Sequence, residues 1–134
     1  MRELISTYQE LTRKITAHRE TIETIYLAAA SPGIKNVTDM PMAPGFSGGG
    51  LEDTFIQIEE LEDRIKEYKQ ERARIAERIE AQLDLAGVSS AERVVFWLRE
   101  VQGMKWNKIA AETGKSVRQL QRISQKPIYM SLLL

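Results

Sequence analysis

Apolar residues in the N-terminal part of the chain recur at spacings that alternate between four and three. The stripe consists of Leu4, Tyr8, Leu11, Ile15, His18, Ile22, Ile25 and Ala29. This heptad spacing keeps one face of a helix against a partner helix. It predicts a helix from near Met1 to Ala30, which ends before Pro32 because proline does not continue a helix.

The same alternation returns after residue 50 and predicts a second long helix, over about 51–85. Its stripe consists of Leu51, Thr54, Ile58, Leu61, Ile65, Tyr68, Arg72, Ile75, Ile79 and Gln82. The intervening residues 31–50 hold three of the four prolines and five of the eight glycines, which indicates a flexible linker. We expect an antiparallel coiled-coil hairpin in which Tyr8 faces Arg72 and His18 is a polar seam residue that helps to set the register.

Three shorter helices are predicted after the hairpin. Ser89 and Glu92 have the spacing of a capping box, which predicts a third helix over about 90–102 that ends at Gly103. Its predicted core face carries Val94, Leu98 and Val101. Trp97 and Trp106 can stack on bases in principle, but both fall where a trihelical core needs bulk, so we assign them to the core.

Residues 105–123 have the pattern of two short helices joined by a tight turn. Ala110 is small enough to let the helices cross closely, Gly114 supplies the positive φ of the turn, and Leu120 anchors the second helix. Together with the helix over 90–102, this pattern predicts a trihelical helix-turn-helix head. The alternative is an ordinary helical hairpin with a solvated polar face.

The last helix of this predicted head begins with a second capping box, formed by Ser116 and Gln119, and ends before Pro127. Its side away from Leu120 carries side chains that hydrogen-bond base edges and phosphates. The predicted DNA-binding residues are Lys105, Lys108, Lys115, Ser116, Arg118, Gln119, Gln121, Arg122, Gln125 and Lys126. Base edges are assigned to Arg118, Gln121 and Arg122, and phosphates to the lysines.

Charge divides the chain at the same point as the predicted structure. Lys plus Arg and Asp plus Glu both total 19, but residues 87–134 hold 8 basic and 3 acidic side chains. Residues 1–86 therefore carry 11 basic and 16 acidic groups, a net charge of −5 against +5 in the C-terminal part. This asymmetry favours a basic DNA-binding head on an acidic body.

Other functional classes find little support in the composition. With no cysteine and one histidine, the chain offers no disulfides, thiolate zinc site or nucleophile–histidine set, so we expect no metal, no cofactor and no enzymatic activity. No apolar run is long enough to span a membrane and the N-terminus lacks a signal-peptide pattern, so a cytoplasmic location without membrane contact is expected.

Residues 91–123, AERVVFWLREVQGMKWNKIAAETGKSVRQLQRI, resemble the C-terminal helix-turn-helix of bacterial sigma factors. They resemble still more the sigma-factor-like phage regulators of the RinA and ArpU type. The shared pattern is Gly103, Trp106, Ile109-Ala110 and Gly114-x-Ser116-x-Arg118-Gln119. The resemblance implies that Arg118, Gln119 and Arg122 lie in the part of the helix that contacts bases and backbone. Lys115 and Thr113 depart from the pattern, which has apolar residues there.

The sequence thus predicts an all-α protein, with an antiparallel coiled-coil hairpin over 1–86 and a trihelical helix-turn-helix domain over 87–134. The predicted function is sequence-specific binding of double-stranded DNA to regulate transcription of phage or prophage genes. RNA polymerase and a second copy of the chain are candidate partners. Two alternatives stay open, which are a DNA-recognition subunit of a phage packaging machine and a coiled-coil adaptor that binds protein and no DNA.

Overall fold

The two heptad stripes form two long helices in the computed structural model, which describes residues 1–30 and 50–134, with side chains for 1–29 and 52–134. Helix α1 spans Arg2–Ala30 and α2 spans Gly50–Ala86, within one residue of the predicted bounds. α1 packs on α2, and all regular structure in the described residues is helical, so the all-α class is confirmed. The linker predicted at 31–50 lies outside the described residues except for Gly50, which begins α2.

The described residues form two compact units. The first, Thr12–Gln70, contains the middle of the predicted seam, where Ile15, Ile58 and Ile65 are buried. The His18 ring lies edge-on to Tyr68, with 5.5 Å between ring centroids, and its Nε2 is buried without a hydrogen-bond partner among the described residues. The predicted seam position of His18 is therefore confirmed.

The second unit combines Met1–Leu11 with Glu71–Leu134. The Arg72 guanidinium lies 5.6 Å from the centre of the Tyr8 ring, which confirms the predicted pairing of these two residues. Gln82 was predicted in the seam but is exposed, and Leu83 is fully buried in its place. The physical reason is that a straight helix has 3.6 residues per turn, so a strict heptad stripe drifts around it. The domain boundary predicted at residue 86 stays a prediction.

Four short helices and one π-helical turn follow α2. Helix α3 spans Ser90–Phe96 and runs directly into a π-helical turn over Trp97–Val101. Helices α4, α5 and α6 span Trp106–Thr113, Val117–Ser124 and Pro127–Leu132.

The π-helical turn changes which residues of α3 face the core. Val95 and Phe96 have no exposed surface, whereas Val94 is 48% exposed, so the predicted core position of Val94 is wrong. A π turn holds about one residue more than an α turn, and this rotates the preceding residues by roughly 100° relative to an unbroken helical pattern. Val101, which ends the π turn, is buried as predicted.

The first turns of α1 contact this π turn. The side-chain amide of Gln9 donates hydrogen bonds to the backbone oxygens of Glu100 and Val101, at 3.0 and 3.4 Å. Carbonyl groups at the end of a helical segment lack partners within that segment. Gln9 therefore supplies donors from a distant part of the sequence to backbone acceptors that would otherwise depend on solvent.

Helix α6 covers the same segment with an aromatic residue. Tyr129 is buried, its ring lies edge-on to Phe96 at 5.2 Å, and its hydroxyl donates to Glu100 Oε1 at 3.1 Å. Burial of the ring and the neighbouring Glu100 carboxylate raise the pKa of Tyr129 far above its ordinary value. Tyr129 and Leu132 of α6 thus complete this part of the core.

The neighbouring valines of α3 provide a matched test of the observed register. Val95→Ala should lower the free energy of unfolding by about 2 kcal/mol, since two buried methyl groups are lost and a small cavity remains. Val94→Ala should change it by less than about 0.5 kcal/mol, as for most exposed positions. Urea denaturation followed by circular dichroism measures both values. Equal losses would show that α3 lacks the register seen here.

Tyr129 also predicts a dependence of stability on alkaline pH. Its pKa is raised in the folded state, so the neutral phenol is favoured there, while the unfolded chain releases the proton above pH about 10. Folded stability should therefore fall as pH rises above about 10, and Tyr129→Phe should flatten this decline. Denaturation at a series of pH values measures it, with Tyr26→Phe as the exposed control. An equally steep decline in Tyr129→Phe and in the parent protein would contradict the prediction.

Candidate nucleic-acid interface

Helices α4 and α5 pack against each other around a tight turn. Gly114 adopts φ +73° in this turn, and its N–H donates to the Ala110 carbonyl at 2.9 Å, so glycine is needed where the sequence predicted it. Ile109 of α4 and Leu120 of α5 are fully buried. The opposite sides of both helices are thereby left at the surface.

The capping box predicted for α5 is present. Ser116 Oγ accepts a hydrogen bond from the Gln119 N–H at 3.2 Å, and Gln119 Oε1 accepts one from the Ser116 N–H at 2.9 Å. Both side chains were predicted to bind DNA, and both are engaged in fixing the start of the helix. Their observed role is to set the position of α5, and any contact with DNA would be additional.

The face of α5 opposite Leu120 carries four exposed polar side chains. They are Arg118, Gln121, Arg122 and Gln125. Residues four apart lie on the same side of a helix, so the two arginines form one row and the two glutamines form an adjacent row. The structure thus brings together Arg118, Gln121 and Arg122, the residues predicted to contact base edges, on one capped helix, and Gln125 directly follows that helix.

The predicted phosphate-binding lysines divide into two groups. Lys105 and Lys108 are exposed, Lys115 is half-buried in the turn, and none of them makes an ion pair within the described residues. Lys126 differs, because its Nζ lies 3.0 Å from Oε1 of Glu92, a carboxylate that is almost completely buried. Its observed contact is therefore internal to the protein.

Glu92 is the residue whose importance the sequence did not indicate. It was predicted only as the second half of a capping box with Ser89. The Ser89 hydroxyl does accept from the Glu92 N–H, at 3.3 Å, but the Glu92 carboxylate accepts from Lys126. The two partners are 34 residues apart, and no local spacing rule connects them.

Both tryptophans are half-buried, so their assignment to the core is only partly right. Trp97 lies edge-on to Tyr8 with 5.7 Å between ring centroids. The Arg99 guanidinium lies 4.4 Å from the centre of the Trp106 ring and also donates to the Met104 carbonyl at 3.0 Å. A cation over an indole face stabilises the start of α4 and occupies that face of the ring.

Three of the eight cations in the C-terminal part are thus held by protein groups. Arg93 contacts Glu80 at 2.9 Å and Asp84 at 2.5 Å, and the hydrogen bond to Asp84 raises its pKa. Arg99 and Lys126 have the partners described above. The remaining five form what we call the basic surface, which consists of Lys105, Lys108, Lys115, Arg118 and Arg122.

Within residues 1–29 and 52–134, no group of three His, Asp or Glu side chains is placed to hold a metal ion. Among the helices that the structure describes, none has the length and apolar character needed to cross a bilayer. Comparisons with protein-family models, with curated proteins and with solved structures found no match. The resemblance of residues 91–123 to sigma-factor-like regulators therefore stays a prediction.

The internal contact of Lys126 predicts a loss of stability on its removal. Lys126→Ala should lower the free energy of unfolding by about 1–3 kcal/mol, because the buried Glu92 carboxylate loses its partner. Lys105→Ala, which removes an exposed lysine, should change it by less than about 0.5 kcal/mol. Chemical denaturation compares the two variants. If Lys126→Ala leaves the free energy of unfolding unchanged, Lys126 is again a candidate for contact with DNA phosphates.

Proposed function

We propose that this protein binds double-stranded DNA in a sequence-specific manner through α5 and acts as a transcriptional regulator. The observation that carries the proposal is the exposed face of α5, where two arginines and two glutamines project opposite the buried Leu120. An α-helix fits the major groove of B-DNA, where each base pair presents a distinct pattern of donors and acceptors. Arginine pairs well with guanine and glutamine with adenine in that groove.

The basic surface supports the same proposal on electrostatic grounds. Its five cations carry no acidic partner in the described structure, and they lie at the N-cap of α4, on α4, in the turn and on α5. Lysines that precede the inserted helix would neutralise phosphates beside the groove and release condensed counterions. Such contacts add affinity for any duplex, whereas the α5 side chains would distinguish one sequence from another.

The resemblance of residues 91–123 to sigma-factor-like phage regulators supports a role in transcription. On this proposal the chain controls phage or prophage genes, and RNA polymerase or a second copy of the chain is its protein partner. The acidic hairpin, which carries a net charge of −5 in residues 1–86, would be repelled by DNA and so left available for protein contacts.

The test of the base-contacting role is Arg118→Ala, measured by fluorescence anisotropy on a selected site and on a scrambled duplex. We expect a loss of roughly 1–3 kcal/mol on the selected site and weaker discrimination at one or two base pairs. Lys69→Ala, an exposed lysine of α2, is the matched control and should change neither affinity. If Arg118→Ala binds both duplexes like the parent protein, α5 does not contact bases.

Lys108→Ala tests the phosphate-contacting role separately. It should weaken binding to selected and scrambled duplexes about equally, and it should reduce the slope of log affinity against log salt by about one. Titrations at several salt concentrations measure the slope. A parent protein that binds no duplex at low salt would refute the proposal and favour a protein-binding adaptor.

A further inference from the structure

Four large apolar side chains are exposed together near the end of α1 and the start of α2. We call them the tip surface, which consists of Tyr26, Leu27, Phe55 and Ile56, exposed by 51, 64, 54 and 53% respectively. All four belong to the unit Thr12–Gln70. They form two adjacent pairs, one on each helix, directly after the seam positions Ile25 and Thr54.

The register of the hairpin places the two pairs at the same level. The Tyr68 ring meets the Lys14 ammonium at 5.6 Å and the His18 ring at 5.5 Å. Residues 26 and 30 lie twelve residues after Lys14 and His18 on α1, and Ile56 lies twelve residues before Tyr68 on the antiparallel α2. Ile56 is therefore level with residues 26–30. The four side chains of the tip surface therefore lie at about the same level of two adjacent helices. Single exposed apolar residues are ordinary, but contiguous ones mark interaction surfaces.

The charges around the tip surface restrict what can cover it. Residues 20–29 and 52–63 contain eight acidic side chains and no lysine or arginine. Glu52 and Glu59 lie one turn before and one turn after Phe55, and Glu23 lies one turn before Leu27, all at the surface. A tip surface of a second copy carries the same negative rim and would be repelled. Residues 31–49 contain one lysine and one aspartate, Lys35 and Asp39, so they bring no net charge to complement it.

From this combination we propose that the tip surface binds an amphipathic helix of a partner protein, with branched apolar side chains on one face and lysine or arginine beside them. A third helix can lay its apolar ridge between the two helices of the hairpin. Its cations then pair with the carboxylates that flank the tip surface, which raises the association rate and excludes acidic partners. This binding is independent of the DNA-binding proposal, because it involves no residue of the basic surface.

The test uses the full chain and a labelled peptide that carries leucine and lysine at helical spacing. A peptide of equal charge, with serine in place of leucine, is the comparison. The leucine peptide should bind, and the serine peptide should bind at least about tenfold more weakly. Leu27→Ser combined with Ile56→Ser should weaken leucine-peptide binding by about tenfold or more. Leu85→Ser, at a position 88% exposed in the other unit, is the matched control and should have no effect.

A second variant tests the role of charge. Replacement of Glu23, Glu52 and Glu59 by glutamine should weaken peptide binding at low salt. At high salt the variant and the parent protein should bind the peptide about equally, because screening removes the contribution of these charges. Circular dichroism should show unchanged helicity in every variant, since all the substituted side chains are exposed. Equal binding of the two peptides, or equal weakening by Leu85→Ser, would refute the proposal.

Two further outcomes would overturn the proposal, because each would identify a different occupant of the tip surface. If sedimentation shows a dimer of the parent chain that Leu27→Ser with Ile56→Ser abolishes, the tip surface binds a second copy. If the peptide binds only after Met40, Met42 and Phe46 are changed to serine, residues 31–49 of the same chain occupy the surface.

Discussion

The ion pair between the Glu92 carboxylate and the Lys126 ammonium fixes the C-terminal helices on which the proposed function depends. Glu92 is buried on α3, and Lys126 follows α5 and precedes α6, so the contact at 3.0 Å joins three helices. A buried carboxylate without a partner is strongly destabilising, which restricts the chain to arrangements that bring Lys126 to it. The capping box at Ser116 fixes the other end of α5. The burial of Leu120 then leaves Arg118 and Arg122 on the exposed face.

Features that depend on local spacing were predicted well from the sequence. The bounds of α1 and α2, the Gly114 turn and the start of α5 at Val117 all follow from neighbouring residues and are present in the structure. The pairing of Tyr8 with Arg72 was also predicted, because placing the end of the α1 stripe beside the start of the α2 stripe fixes the register of the two helices. Heptad stripes and caps determine these features with little influence from the rest of the fold.

Features that no regular spacing in the sequence connects were not predicted. The core position of Val95 rather than Val94 follows from the π turn, and the amide of Gln9 from α1 hydrogen-bonds its last backbone oxygens. No sequence pattern within residues 90–102 indicates the hydrogen bonds from Gln9. The candidate DNA-binding set was predicted as a group of polar residues, and hydrogen bonds within the protein divide it. Ser116, Gln119 and Lys126 are engaged within the protein, whereas Arg118 and Arg122 are available.

The hydrogen bonds from Gln9 to Glu100 and Val101 have a consequence for how the chain folds. Their partners are 91 and 92 residues apart, and Tyr8 and Trp97 are nearly as distant. Closing so long a loop carries a larger entropic cost than closing the shorter loops among α3 to α6, and contacts of high sequence separation tend to slow folding. The attachment of α1 to the π turn is accordingly the step with the largest loop-closure cost among these contacts, and the short helices can associate before it.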